Sequence, residues 1–155
     1  MRGKRAQKRT LEPDAAYKSV LVTRFINYLM LDGKKGVARK IVYSVLEKLN
    51  EDKKEALKEF EKAIKKVMPE QEVRSRRVGG ATYQVPMPVK HDRAESLAIR
   101  WIISSARAKK GTDMTNRLYT EFKAILKGEG SNALKKRQDV EKMAESNKAF
   151  AHFKW

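Results

Sequence analysis

The sequence contains no cysteine, and that one absence removes disulfide frameworks, thiolate zinc sites and cysteine nucleophiles together. Histidine is nearly missing too. His91 and His152 are the only two, far apart and outside any ligand spacing such as His-Glu-x-x-His. Phosphate loops are also lacking. Gly33-Lys34-Lys35-Gly36 has neither the four-residue interval nor the Lys-Ser/Thr ending of a P-loop, and Gly79-Gly80 is not a Gly-x-Gly-x-x-Gly run. No serine occupies a Gly-x-Ser-x-Gly elbow. No apolar run approaches the ~18–20 residues of a membrane span. The first ten residues, MRGKRAQKRT, have neither the apolar core of a secretory signal nor the large aliphatic side chains of a transit helix, and they read as part of the mature protein. These absences argue against an enzyme. No catalytic residue, metal site or cofactor is expected, and no membrane association.

What is present in excess is positive charge. Lys and Arg number 36 against 19 acids, a formal +17 over 155 residues. Residues 1–46 hold eleven basic and three acidic side chains, residues 47–72 seven and eight, and residues 73–155 eighteen and eight. One stretch is therefore electrostatically ordinary and the rest is polycationic, the distribution expected when basic groups gather where phosphates sit. High charge also serves solubility alone, but a polyanion partner accounts better for this amount and placement. The apolar content of 41% is too high for a disordered chain, and the length suits one domain spanning 1–155 with one core.

Along the chain, residues 1–13 read as a flexible basic arm carrying Arg2, Lys4, Arg5, Lys8 and Arg9, closed by Pro13. Apolar residues then recur at helical spacing. The stripes are Leu21, Val22, Phe25, Ile26, Leu29 and Met30; then Ala38, Ile41, Val42, Val45, Leu46 and Leu49; then Leu57, Phe60, Ile64 and Val67, stopped by Pro69. Gly33 is placed for a left-handed break between the first two. Residues 73–89 lose that period. They are rich in Val, Thr and Tyr, centred on Gly79-Gly80, and carry Pro86 and Pro88, which predicts an isolated β-hairpin because proline cannot serve a central strand. A fourth helix is predicted from Asp92, with Asp92 and Glu95 resembling a capping box. A fifth carries Leu118, Phe122, Ile125 and Leu126 to Gly128, and a sixth runs from Ser131 towards Asn147. The expected fold is mainly α: a single-domain bundle of about six helices with one protruding basic β-hairpin.

The candidate binding residues follow from charge and ring chemistry. Arg74, Arg76 and Arg77 crowd one short strand, Arg74 and Arg76 on one face and Arg77 on the other, an arrangement that calls for an anion between them. Guanidinium groups fork onto phosphate and stack on bases. Tyr83 across the turn offers a ring to an unstacked base. Lys34-Lys35, Arg107 with Lys109-Lys110, and Lys135-Lys136-Arg137 fall at predicted helix ends. Each group alone could be a solvated end, since cations suit helix C-termini; together with the arm they suggest one broad basic surface. The tail 148–155, from Lys148 to Trp155, mixes aromatics with base and could either stack on nucleotides or pack back on the body.

Several of these segments are familiar as sequence. Ser75-Arg-Arg-Val-Gly-Gly-Ala-Thr-Tyr-Gln-Val-Pro-Met87, Arg100-Trp101-Ile102, Lys136-Arg137 with Asp139, and the run from Met143 to Trp155 resemble the bacterial form of the small-subunit ribosomal protein seven family, as does Leu31-Asp32-Gly33-Lys34-Lys35. Glu141 departs from the family pattern, which has a basic or His residue before Lys142. The resemblance implies a helical bundle with a protruding hairpin, direct binding to the 3′ major domain of small-subunit rRNA, and initiation of head assembly in the cytoplasmic ribosome. It further implies a place near the exit-site tRNA and the mRNA path, and contact with small-subunit ribosomal protein eleven. By position, the arm, Lys34, Lys35, Arg74, Arg76, Arg77, Lys136 and Arg137 would face rRNA, while Gly79, Gly80, Tyr83 and Lys148 would lie nearest the tRNA or mRNA. The free protein is expected to be monomeric. The competing readings are an architectural DNA-binding protein with a minor-groove arm and a helical protein-interaction scaffold.

Overall fold

The computed structural model describes residues 3, 6–7 and 9–153. Six α-helices and one hairpin follow in chain order: α1 (Val20–Leu29), α2 (Lys35–Leu49), α3 (Lys53–Val67), β1 (Gln71–Val78), β2 (Ala81–Pro88), α4 (His91–Ala108), α5 (Met114–Lys127) and α6 (Asn132–Ser146), with a 3-10 turn at Lys148–Phe153. The helix limits have local causes. Asp52 caps α3 by accepting from the Lys54 amide at 3.0 Å, and Ser131 caps α6 by accepting from Leu134 at 3.2 Å. Gly128, at φ +91°, ends α5 in the left-handed conformation that glycine adopts without a Cβ penalty.

The predicted apolar stripes meet in one core. α5 lies at its centre, packed against α2, α3, α4 and α6. Phe25, Phe60 and Phe122 come from α1, α3 and α5 and form a triangle with ring centroids 5.3–5.7 Å apart, each ring buried. Burial of each such ring contributes about 1.5–3 kcal/mol. Ahead of α1, the buried Asp14 accepts from the Ala16 and Tyr17 amides and from the Tyr43 hydroxyl at 2.8 and 3.0 Å, tying the incoming chain to α2. Burial, followed by its bond to Asp14, raises the Tyr43 hydroxyl pKa.

The hairpin begins two residues earlier than its sequence suggests, because Gln71 and Glu72 pair with Pro88 and Met87. Its register is antiparallel from Gln71–Pro88 to Val78–Ala81. The two-residue turn places Gly79 at φ +57° and Gly80 at φ +90°. Two successive positive φ values match the right-handed twist of the strands, as in a type I′ turn. The base is anchored: Val85 and Pro86 are buried, and both strands pack on α6. The ribbon is a two-stranded sheet, as the prolines require.

The expected capping box at Asp92 does not form. α4 starts one residue earlier, with Lys90 at its cap and no side-chain cap bond, and Asp92 lies inside the first turn. The extended exit from the hairpin sets this start, since Val89 still donates to the Glu70 carbonyl at 3.0 Å before the chain turns. Glu95 is used elsewhere, in an ion pair with Arg24 of α1.

Candidate nucleic-acid interface

The cations singled out by sequence divide into two groups. In the first, the fold itself supplies a partner. Lys109 reaches the buried Glu121 of α5, its Nζ 2.7 Å from Oε2; this separation neutralises the pair, although the contact is not aligned as a hydrogen bond. Glu121 is wholly inaccessible, and its other oxygen accepts from the Ser131 hydroxyl and the Ala133 amide, so the pair joins α4, α5 and the start of α6. Arg137 donates to the Lys66 carbonyl at 2.7 Å and pairs with Glu141 one turn on. Arg107 donates to the Leu29 carbonyl at 3.1 Å, crossing from α4 to the end of α1.

Arg74 joins this group as well. The anion required among the hairpin arginines is intramolecular: Glu72, on the same strand face, accepts from Arg74 Nε at 3.0 Å and from Arg93 of α4 at 2.8 Å. Burial would push the Glu72 carboxyl up, but the bonds and charges of Arg93 and Arg74 outweigh it and hold the group below the usual carboxylate range. This three-membered knot fixes the hairpin base to the first turn of α4. Sequence reasoning missed Glu72 and Arg93. The alternation of strand side chains, which puts Glu72 and Arg74 on one face, was the available signal.

The second group is left facing outward. Arg77 is exposed on the face opposite Arg76, which lies directly across from Tyr83. Lys34 and Lys35 are exposed at the start of α2, where Lys34 is the cap residue, no cap bond forms and no acid stands in the first turn. Lys135 and Lys136 are exposed near the start of α6, whose first turn is also without acid. The helix dipole therefore does not account for these lysines. It favours cations at C-termini, as for Arg107 and Lys109 at the end of α4, and disfavours them beside the unpaired N–H groups of an N-terminus. Exposed Lys110 lies in the α4–α5 connection. The start of α2, with no side-chain cap and with Lys34 and Lys35 exposed, suits a phosphate; the Ala133 and Leu134 amides of α6 are already taken by Glu121 and Ser131.

The tail packs back on the body in part. Phe150 packs against Tyr83 with ring centroids 5.2 Å apart and the planes tilted by 51°, and the 3-10 turn lies along β2. Lys148 is exposed beside it. Tyr83 thus presents an aromatic pair rather than a lone ring. Of the arm, Arg9 is exposed, whereas Arg2, Lys4, Arg5 and Lys8 lie outside the described residues, as do Lys154 and Trp155 of the tail. Among the described residues no group of three or more His, Asp or Glu side chains could hold a metal ion, and no helix is long and apolar enough to cross a membrane.

The model of the family described as ribosomal protein S7p/S5e matches residues 1–148. Among relatives, the small ribosomal subunit protein uS7 of Petrotoga mobilis is 53% identical over the full length of both chains. That of Kosmotoga olearia is 54% identical, again over both full lengths, and that of Francisella tularensis subsp. novicida 49% over 99% of each.

Proposed function

From the premise that the chain belongs to the ribosomal protein S7p/S5e family, we propose that it is a structural protein of the small ribosomal subunit in the cytoplasm, not an enzyme, and that it binds the 3′ major domain of the subunit's rRNA directly to start assembly of the head. The observation that carries this reading is the set of exposed cations that folding does not explain: Lys34 and Lys35 at the start of α2, Lys135 and Lys136 near the start of α6, and Arg77 on the hairpin. Folded RNA presents phosphates at irregular angles, and cations dispersed over separate helix ends suit that surface better than the regular backbone of a duplex. Arg2, Lys4, Arg5, Lys8 and Arg9 of the arm and Lys110 extend the same surface. Arg74, Arg107, Lys109 and Arg137 are proposed to act at its margin, because each already holds an internal partner.

The ribbon runs from its tip at Gly79 and Gly80, past the Tyr83–Phe150 pair, to a base where exposed Lys148 lines a cavity with Glu70 and Gln71. In the assembled subunit the tip, the ring pair and Lys148 are proposed to lie nearest the exit-site tRNA and the mRNA path. Contact with small-subunit ribosomal protein eleven belongs to the same proposal, as does a monomeric free state.

Competition binding at moderate salt tests the reading. A folded rRNA head fragment should be preferred to duplex DNA of equal length by orders of magnitude. If about six phosphates are neutralised, log affinity should fall with log salt at a slope of several units. Equal preference for heparin, DNA and the head fragment would refute it.

A further inference from the structure

Burial fixes the base of the hairpin and stops short of its tip. Glu72, Val85 and Pro86 are buried, but from Ser75 round the turn to Gln84 no residue is. Val89 donates to the Glu70 carbonyl, and the alternation of an antiparallel ladder then makes Arg76–Tyr83 and Val78–Ala81 the last two hydrogen-bonded pairs. A ribbon of two strands is marginal in water unless something packs on it. The face that carries Tyr83 also carries Arg76, Arg74 and Glu72. The Glu72 knot grips this face near the base, four pairs or about 13 Å from Tyr83.

The tail meets the ribbon in that outer half. α6 ends at Asn147, whose backbone N–H and side-chain Nδ2 both donate to the Met143 carbonyl, at 3.2 and 2.8 Å. The Phe150 amide donates in turn to the Asn147 carbonyl at 2.9 Å, and the turn so closed sends Lys148–Phe153 back along β2. There the Phe150 ring meets the Tyr83 ring, and both are half-buried. Each ring takes apolar area of the other out of water, so the contact is favourable in itself. Beside the hairpin base, by contrast, the start of the tail borders an open cavity of about 250 Å³, lined by Glu70, Gln71, Glu141, Glu145 and Lys148. The base is left partly open, and the ring contact lies nearer the turn.

We propose that the tail is a strap for the hairpin: Phe150, turned back by Asn147, holds Tyr83 and so positions the outer half of the ribbon, which carries Arg76, Arg77 and the Gly79-Gly80 turn. Phe150 is a positioning residue that acts through Tyr83. Its consequence for binding rests on the rRNA reading, since a ribbon already held in place loses less freedom when RNA orders it. Amide hydrogen exchange of the full-length protein, without RNA, tests the strap itself. In Phe150→Ala the amides of Arg76, Val78, Ala81 and Tyr83 should exchange about fivefold faster, the scale of one aromatic pair. The α5 amides and the melting temperature should not change. Phe150→Tyr keeps a ring and should restore the parent rates. Combining Phe150→Ala with Tyr83→Ala should speed the ribbon amides no further than Tyr83→Ala alone. Binding to the head fragment should weaken about threefold in Phe150→Ala and recover in Phe150→Tyr, with the salt slope unchanged in both. Parent-like exchange in Phe150→Ala overturns the strap even if affinity falls, because the ring would then touch RNA itself. Faster exchange with equal or tighter binding overturns the positioning role, because Phe150 would only mask Tyr83. Failure of the parent protein to prefer the head fragment over duplex DNA refutes the rRNA reading, and the exchange rates still decide whether the tail holds the ribbon.

Discussion

Lys109 and Arg77 carry the same formal charge, yet the molecule uses them in opposite ways. Lys109 bends inward to a carboxylate with no solvent access, whereas Arg77 stands exposed near the tip of a two-stranded ribbon. The contrast separates charge that holds this fold together from charge that the fold holds out. Net charge does not distinguish them; the partner does. A buried pair is costly to desolvate but more costly to break, because its remaining member is stranded. An exposed arginine contributes little to stability and keeps its full value for a phosphate.

The largest effect is expected where the contrast is broken from inside. Lys109→Met leaves Glu121 buried without its cation and should destabilise the protein by about 3–5 kcal/mol, read by chemical denaturation. The salt slope of RNA binding by the fraction that remains folded should stay near the parent value. A mild stability change would mean that Ser131 and the Ala133 amide suffice for Glu121, and the division between the two groups would weaken.

The opposite substitution sharpens it. Arg77→Ala should leave the melting temperature within error and weaken binding to the head fragment by about tenfold, with the salt slope falling by about one unit if one phosphate contact is lost. Changing Arg74 along with it would confuse the result, since that also opens the Glu72 knot. A smaller effect is expected from Gly80→Ala. It places a Cβ at φ +90° and should cost about 1 kcal/mol, with the loss confined to hairpin amides in hydrogen exchange.

How far the sequence was legible follows the same division. Helical periodicity located the core, because Phe25, Phe60 and Phe122 each sit on a stripe whose buried face is fixed by the 3.6-residue repeat. The hairpin was legible because Gly79-Gly80, Pro86 and Pro88 restrict the backbone locally. The fate of the cations was not. Lys109 and Glu121 are twelve positions apart, Arg93 and Glu72 twenty-one, and Arg137 and Lys66 seventy-one. Pairings at those separations come from packing angles that no local pattern encodes. Asp92 looked like a cap for the converse reason: its spacing to Glu95 was right, but the exit path of β2 set the helix start.

The Glu72 knot lies between the two groups and gives the finest test, since it uses one anion to hold two surface arginines. Its carboxyl is held below the ordinary value by Arg93 and Arg74. A group lowered in this way contributes stability above its unfolded-state pKa, and that contribution disappears as the pH falls through the lower folded-state value. Stability should therefore fall with acidification below about pH 4.5, the ordinary value for a glutamate, and Glu72→Gln should flatten that part of the profile while costing about 1 kcal/mol at neutral pH. The same variant frees Arg74, so its affinity for the head fragment should hold or rise slightly even as the hairpin base loosens. An affinity that drops in step with stability would show that the ribbon's fixed angle matters more to RNA than the charge released, and Arg74 would then belong with Lys109 as a residue kept for the fold.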